Sequence, residues 1–374
     1  SLPQWGVGQR ALEAGQSSCS GEGYTVVLVV PTGIGSAIGG YAGDALPVAR
    51  AMSEVGDTVI THPNVMNGAM LYWPRDNVLY VEGYALDEFC AGRWGLLPVQ
   101  NRGNRIGLVL DCAIEEELKL RHIQAADAAR ATLGIDVAGY AVTEHPVGVT
   151  LEMSEGGASW GNVANIETLL DAARHLVTEE GCTAVAVVVS FPEEEEEEFE
   201  AYRTGQGVDA VGGAEAIISH LITKELGVPC AHAPAVPPFP PDEATSPRAC
   251  AEETGYTFLP CVLANLHRAP VIVKSHADPL AARAIWARDV DACVAPAKAL
   301  GGAGVLSLAS QPNTCIVGVA GNTCVMEAGA TELGLGSVIG VGTYLEALGL
   351  LVAHKAGVNL DCFVPSMGSI TRLK

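Results

Sequence analysis

The chain is short of positive charge, of aromatic residues and of long hydrophobic runs. It has 21 Lys and Arg against 43 Asp and Glu, a net charge of −22, and only 5% aromatic residues. A field of this sign repels phosphate backbones and anionic lipid surfaces, and no basic stripe offsets it. The longest apolar run, near Thr183–Val189, is too short to cross a bilayer. We therefore expect a soluble protein with no nucleic-acid partner and no membrane insertion.

The cysteines are too scattered for a disulfide framework or a zinc ribbon. There are 11 of them, an odd number, and no two form a CxxC pair. Small disulfide-rich domains use even numbers of cysteines, and zinc ribbons use paired CxxC motifs. Most of the cysteines stand in apolar stretches, as Cys182 and Cys293 do. We predict buried free thiols in a reducing compartment, and no metal site.

Short β-branched runs alternate with Ala-rich amphipathic stretches along the whole chain. Hydrophobic residues make up 49% of it and glycines number 43. This alternation is typical of helices packed on both faces of a mainly parallel sheet. It predicts a doubly wound, Rossmann-like α/β fold. We expect four runs to be neighbouring strands of one sheet: Tyr24–Val30, Thr58–Thr61, Val78–Val81 and Ile106–Leu110.

An unbroken acidic run marks the predicted domain boundary. Glu193 to Glu198 are all glutamates, and Glu200 follows. Like charges this close repel one another and favour an extended, solvated segment, although such a run could also tether a cation or a partner. The sequence therefore predicts an N-terminal α/β domain at 22–192, an acidic linker at 193–205, and a C-terminal α/β domain of similar class at 206–374.

A Gly-rich loop follows the first predicted strand. Glycines there let the backbone approach a ligand, and the N-terminus of a following helix favours an anion. The alternative is a tight turn whose glycines only permit close packing. The candidate ligand-binding residues of the loop are Gly33, Gly35, Ser36, Gly39 and Gly40.

The same loop argues against a nucleotide cofactor. Its spacing is G-x-G-x-x-x-G, one residue longer than the dinucleotide fingerprint, and the second strand ends in His62 where that fingerprint has an acidic residue. No Gly-Lys-Ser/Thr follows, so a P-loop is excluded. A NAD(P)-dependent oxidoreductase is thus the weaker alternative, and the sequence assigns no cofactor.

Polar residues follow the second, third and fourth predicted strands. His62, Glu82 and Asp111 stand at these ends, with Asn64 and Asn67 close behind His62. Ligands of open parallel sheets bind beyond the carboxyl ends of the strands. The first three could supply an acid–base pair or part of a metal site, and we predict that the two asparagines contact the ligand. Taken singly, each would more often be a helix cap or turn residue.

The second half of the chain offers a further set of candidates. Gly301 and Gly302 open a predicted helix as a second anion cradle. Arg248 could clamp an anion or form a surface salt bridge. On a helical wheel Glu215 and His220 point about 140° apart, so no local dyad is expected. The complete set is Glu215, His220, His232, Arg248, Gly301 and Gly302.

Several long blocks together resemble a known family. They include PTGIGSAIGGYAGDALPVARAM, ITHPNVMNGAMLYWP, YVEGYALD, GLVLDCAIEEELKLRHIQAADAARATLG, GGAEAIISHL, PCAHAPA and SPRACAEETGYTFLPCVL. From about Tyr24 to Gly357 the chain resembles the domain-of-unknown-function family 3326 of cyanobacteria and chloroplast-bearing organisms. The resemblance implies a plastid setting, the chloroplast stroma, and it implies no particular reaction.

Three functions stay open at this point. The first is a stromal protein, catalytic or not, that binds a small anionic metabolite at the carboxyl edge of the strands. The second is a non-catalytic assembly or regulatory factor of a photosynthetic complex, since a fold does not fix a function. The third is a NAD(P)-dependent oxidoreductase, against which the spacing of the Gly-rich loop argues. The partners that we expect are a small anionic ligand and, in addition, a second copy of the chain or a larger plastid complex.

Overall fold

The computed structural model describes residues 23–67, 69–99, 102–192, 196–237, 240–253, 258–363, 365 and 367–372. Within them the strands are β1 Thr25–Leu28, β2 Thr58–Thr61, β3 Val78–Tyr80, β4 Gly95–Leu97, β5 Ile106–Leu110, β6 Val137–Val142, β7 Val149–Met153, β8 Ser159–Val163, β9 Ala184–Val189, β10 Cys230–Pro234, β11 Val271–Val273, β12 Ala292–Pro296, β13 Cys315–Val319 and β14 Val338–Val341.

The helices alternate with these strands. They are α1 Leu46–Met52, α2 Pro63–Met66, α3 Ala69–Tyr72, α4 Gly83–Cys90, α5 Glu116–Leu133, α6 Ile166–Thr178, α7 Glu196–Arg203, α8 Gly212–Leu226, α9 Cys250–Glu253, α10 Leu259–Arg268, α11 Ala303–Ala309, α12 Ala330–Leu333 and α13 Tyr344–Lys355, with 3₁₀ turns at Ala281–Arg283, Ala287–Asp289 and Leu360–Phe363. No helix in the described part of the chain is long and apolar enough to cross a membrane.

Two parallel sheets form the framework of the molecule. The first has six strands in the order β14-β13-β12-β1-β2-β3, and the second has four in the order β10-β9-β5-β6. All neighbouring strands within these two sheets run parallel. Two small antiparallel ribbons, β11-β4 and β7-β8, complete the strand pairing in the described residues. The predicted α/β, Rossmann-like fold with mainly parallel sheets is confirmed.

The apolar runs of the sequence became the buried strands. Every residue of β1, β5 and β9 is buried. Such continuous apolar runs are typical of parallel strands that are covered on both faces. One large core joins the two sheets, because Leu28 of β1 and Leu108 of β5 share it with Val262 and Leu263 of α10. Helix α10 therefore packs between the sheets and fixes their relative position.

The prediction that four runs form one sheet is wrong for the last of them. Ile106–Leu110 is β5, which pairs with β6 and β9 in the four-stranded sheet. The first three runs do lie side by side as β1, β2 and β3. Local hydrophobic periodicity indicates that a segment is a strand but not which strand it will pair with.

The strands of each sheet come from both sides of the acidic segment. The six-stranded sheet pairs β1 near the N-terminus with β12 near the C-terminus. The four-stranded sheet pairs β9, before the segment, with β10, after it. The predicted boundary at 193–205 therefore does not coincide with the division between the two sheets.

The acidic segment is partly helical. Glu196–Arg203 forms α7, while residues 193–195 lie outside the described residues. Arg203 at the end of α7 is buried, and its Nε lies 2.8 Å from Glu253 Oε1. The expectation of an extended, solvated linker is thus wrong for this end of the segment, which an ion pair fixes to α9.

Candidate functional site

A cavity of about 160 Å³ lies where the carboxyl edges of the two sheets meet. His62 follows β2, Glu82 follows β3, and His232 lies on β10 of the other sheet. Helix α8 supplies another wall, and α9 a further one. The side chains that carry its chemistry are His62, Glu82, Asp209, Glu215, Ser219, His220, His232, Glu252 and Glu253.

His62 is held as a neutral imidazole. It is buried, and its Nε2 accepts a hydrogen bond from the Val30 N–H at 3.0 Å. Burial, together with the charge of His220, lowers the pKa of His62 to about 4. A neutral imidazole that accepts at Nε2 carries its proton on Nδ1. At neutral pH His62 is therefore a hydrogen-bond donor through Nδ1 and not a base.

Glu82 shifts the pKa of His220 in the opposite direction. Glu82 caps α4, and its Oε2 accepts from the N–H groups of Tyr84 at 2.8 Å and Ala85 at 3.2 Å. Its Oε1 lies 2.5 Å from His220 Nδ1. Burial alone would lower the pKa of His220, but the adjacent Glu82 carboxylate outweighs it and raises that pKa. The His220 side chain remains 41% exposed, so it is open to solvent and to a ligand.

A second carboxylate–imidazole pair lies on the same wall. Glu215 Oε2 is 3.5 Å from His232 Nε2, and Ser219 Oγ is 3.1 Å from His232 Nδ1. Glu215 and Ser219 stand one turn apart on α8, so they share a face of that helix. As the helical wheel predicted, Glu215 and His220 do not pair with each other. Glu215 contacts His232 of β10, and His220 contacts Glu82 at the start of α4.

Glu252 adds a buried carboxyl group to the wall that α9 supplies. Its Oε1 accepts from the Ala42 N–H at 2.6 Å and from the Tyr202 hydroxyl at 2.9 Å. Burial, then the nearby charges of Glu215 and Asp44, raise the pKa of Glu252 above its usual range. The lining therefore has five carboxyl side chains and three imidazoles, with no Lys or Arg among its described residues.

The Gly-rich loop does not line this cavity. Three of its N–H groups are already occupied: Ala37 donates to Thr323 O, Ile38 to Asn322 Oδ1, and Gly39 to Asp44 Oδ1. Helix α1 begins only at Leu46, so the glycines do not stand at a helix N-terminus. The predicted anion cradle is therefore not formed by this loop.

Close packing accounts for the glycines instead. A Cβ on Gly33, whose φ is +68°, would lie 2.5 Å from Ser159 Oγ. One on Gly39, whose φ is +90°, would lie 2.5 Å from Val30 Cγ1. Gly35 and Gly40 are similarly crowded, and Ser36 is buried. The alternative interpretation of the loop, a tight turn that permits close packing, fits this geometry.

The predicted asparagines do lie at the cavity. Asn64 and Asn67 are both part of its lining. Asn64 also ties the loops together, since its Nδ2 donates to Val30 O at 2.8 Å and to Gly39 O at 2.7 Å. Asn67 accepts through its backbone carbonyl from Asn265.

Asp111 lies outside the cavity, since β9 separates β5 from β10, the strand of the four-stranded sheet that carries His232. It is buried, and its Oδ1 accepts from the N–H groups of Ala113 at 3.0 Å and Val147 at 3.2 Å. These bonds fix the turn after β5. The acid–base role predicted for Asp111 is replaced by the structural role of a turn residue.

Three second-half candidates also lie outside the cavity. Arg248 forms an ion pair with Asp44 at 2.7 Å, and its side chain is 45% exposed. Gly301 and Gly302 precede α11, whose first turn is already capped, since Asp87 Oδ1 accepts from the Gly304 N–H at 2.8 Å. The salt-bridge interpretation of Arg248 holds, and the second anion cradle is not formed.

Sequence reasoning missed Ser219, Asp209, Glu252 and Glu253. Ser219 could have been found, because it stands one turn after Glu215 on the same face of a helix. Glu252 and Glu253 belong to the four-residue helix α9, and nothing in their local pattern places them at the end of a distant strand. Within the described residues no group of three or more His, Cys, Asp or Glu is arranged to hold a metal ion.

The fold and the cavity define an α/β protein of parallel sheets with a histidine- and carboxylate-lined site between two sheet edges. The chain belongs to the family described as protein of unknown function DUF3326, whose model matches residues 25–364. The resemblance inferred from the sequence is thereby confirmed.

A similar protein occurs in the cyanobacterium Synechococcus sp., where it carries the name uncharacterized lipoprotein. It is 52% identical over 346 residues, which cover 92% of this chain and 94% of that protein. No solved structure matches the chain.

Proposed function

We propose that this protein is an enzyme that binds a small polar molecule in the cavity between the sheets and transfers protons to and from it. The observation that carries the proposal is the contrast between two histidines of one cavity. The pKa of His62 is lowered to about 4, and the pKa of His220 is raised. Titratable groups of one cavity whose pKa values are shifted by burial and by a specific charged partner are typical of catalytic sites.

Each group then has a distinct role. His220, protonated over a wider pH range because of Glu82, is the general acid, and Glu82 positions it. His62 donates a hydrogen bond through Nδ1 and stays neutral, so it polarises the ligand without exchanging its own proton. The pair Glu215 and His232, on the same wall of the cavity, supplies the general base.

The charge of the lining selects the ligand. Five carboxyl groups face three imidazoles, with no Lys or Arg among the described lining residues. Such a lining repels anions and favours a neutral or positively charged molecule. The anionic metabolite expected from the sequence is the less favoured ligand, because the positive charges of the lining itself come from imidazoles and the nearby Arg203 is already paired with Glu253.

A binding screen tests this proposal. Thermal melting of the full chain is followed with glycerol, ethanolamine, succinate and inorganic phosphate as probes of each charge class. We expect the neutral or cationic probes to raise the melting temperature and the anionic ones to leave it unchanged. Glu215→Gln should abolish the shift, while Glu88→Gln, a matched change outside the cavity, should preserve it. A shift that survives Glu215→Gln places the binding elsewhere and contradicts the proposal.

The compartment belongs to the same proposal. We place the protein in the chloroplast stroma, which the family resemblance implies and the cysteines support, since all those of the described residues are free thiols. The name of the cyanobacterial relative suggests association with lipid as the alternative. Fractionation of plastids into stroma and membranes distinguishes the two.

A further inference from the structure

Ser219, His232 and Glu215 lie in an array along one wall of the cavity, joined by a hydrogen bond and a longer ion-pair contact. Ser219 Oγ lies 3.1 Å from His232 Nδ1, and His232 Nε2 lies 3.5 Å from Glu215 Oε2. All three side chains line the cavity. A hydroxyl, an imidazole and a carboxylate in this order are the parts of an activated serine nucleophile.

Two rigid elements hold the array together. Ser219 and Glu215 are one turn apart on α8, and His232 lies on β10, paired with Val187 of β9. A carboxylate beside Nε2 favours the tautomer that bears its proton there, which leaves Nδ1 free to accept from the serine hydroxyl. The other acceptor near Ser219 Oγ is the Ala216 carbonyl at 3.4 Å, a longer contact.

The array differs from the other groups of the cavity in being able to form a covalent bond. Glu82 is engaged with two backbone N–H groups and His220, and His62 is engaged with Val30. Ser219 is the hydroxyl of the described lining that contacts an imidazole, and that imidazole in turn contacts a carboxylate. Base assistance of this kind is what makes a neutral hydroxyl nucleophilic.

We propose that Ser219 is an acyl-accepting nucleophile and that the substrate is a small carboxylic ester. The inference rests on the proposed function and names its substrate class. Ser219 Oγ bonds to the ester carbonyl carbon while its proton passes to His232 Nδ1. The C–O bond to the alcohol then breaks, and the alcohol leaves with that proton. Water, deprotonated by His232, then attacks the acyl carbon. The bond from that carbon to Ser219 Oγ breaks, His232 returns the proton to Oγ, and the carboxylic acid is released.

The remaining lining suits this chemistry. The step places negative charge on the former carbonyl oxygen, and donors near that oxygen stabilise it. His220 follows Ser219 on α8, and both it and His62 face the same cavity. The volume of about 160 Å³ limits the acyl and alcohol parts to a few carbon atoms each. The carboxylates of the wall disfavour an acyl group that carries its own negative charge.

A covalent probe tests the proposal directly. The full chain is incubated with a small dialkyl fluorophosphate, which phosphorylates base-activated serines, and the adduct is located by intact-mass and peptide mass spectrometry. We expect one adduct, on Ser219. It should be absent from Ser219→Ala and slowed roughly 100-fold or more in His232→Gln. Ser307→Ala, a serine of α11 outside the cavity, should be labelled like the wild type.

Hydrolysis of 4-nitrophenyl acetate provides the second readout. Turnover should be lost in Ser219→Ala and kept in Ser307→Ala. Absence of an adduct on Ser219 in the unmodified chain, or full turnover in Ser219→Ala, overturns the inference and reduces Ser219 to a positioning residue for His232. Such a result leaves the proposed function standing if Glu215→Gln still abolishes probe binding. If the Ser219 tests fail and, in addition, the probe-induced rise in melting temperature survives Glu215→Gln, the proposed function is contradicted as well.

Discussion

At the scale of single residues, the site depends on which atom of each side chain is already engaged. His62 and His220 are the same residue type in one cavity, yet their surroundings differ. The imidazole of His62 accepts from a backbone N–H in a dry environment, whereas that of His220 meets a carboxylate and solvent. Burial without a counter-charge favours the neutral form, and a carboxylate contact favours the charged form.

The neutral state of His62 makes the stability of the fold depend on pH. Its pKa is about 4 in the folded chain against an ordinary value of 6.5. Between these values the unfolded chain binds a proton that the folded chain does not, so stability is complete above pH 6.5 and is lost as the pH falls toward 4. At about 1.4 kcal/mol for each unit of pKa, the loss from this group is roughly 3 kcal/mol.

The variant His62→Gln should flatten this decline, because glutamine can accept from Val30 N–H and does not titrate. Urea unfolding between pH 7 and pH 4 measures the effect. His145→Gln, at an exposed histidine outside the cavity, is the control and should keep the wild-type decline. Equal pH dependence in all three proteins would show that His62 is not the group responsible.

At the scale of elements, the loop between β1 and α1 is a packing device. Its glycines approach other backbone and side-chain atoms, and its N–H groups bond to acceptors of the protein. The loop between β1 and α1 also carries Thr32 and Ala42, which line the cavity, and the Ala42 N–H bonds to Glu252. The Gly-rich pattern indicated a tight turn correctly. Whether a ligand or the protein itself packs into such a turn depends on residues that are distant in the sequence.

Gly39→Ala tests this packing role. A side chain at φ +90° is strained, and its Cβ would lie 2.5 Å from Val30 Cγ1. We expect a loss of about 2 kcal/mol in the free energy of unfolding. Gly349→Ala, at an exposed and open position of α13, should instead stabilise by up to about 1 kcal/mol. Chemical denaturation measures both, and a neutral Gly39→Ala would contradict the packing account.

At the scale of the whole molecule, the two sheets are built from interleaved parts of the chain. Residues 25–80 and 292–341 supply the first sheet, and residues 106–234 supply the second. The cavity lies where they meet, so it draws on His62 and Glu82 from one sheet and His232 from the other. A site of this kind exists only when both sheets have formed and α10 has packed between them.

The sequence allowed a good prediction of the strands and a partial prediction of the site. The strands at Thr58–Thr61 and Ile106–Leu110 were placed with their observed bounds because their apolar runs are local signals. The strand with which each of them pairs could not be predicted in the same way, since pairing depends on segments that are distant in the sequence. For the same reason Asp111 was grouped with His62, although it lies at the end of the other sheet. Glu252 was missed because its role comes from tertiary contacts alone.

The central claim is that one cavity contains two histidines with different roles. His220 acts as a general acid, and His62 is a neutral hydrogen-bond donor. The most direct measurement is the titration of the imidazole nitrogen resonances of the full chain by NMR, in the wild type, Glu82→Gln and the matched control Glu88→Gln. The account predicts that the pKa of His220 lies above the ordinary value of 6.5 and that it falls in Glu82→Gln but not in Glu88→Gln. It also predicts that His62 stays neutral down to about pH 4. It is contradicted if His220 titrates at or below 6.5 in the wild type and Glu82→Gln does not move it.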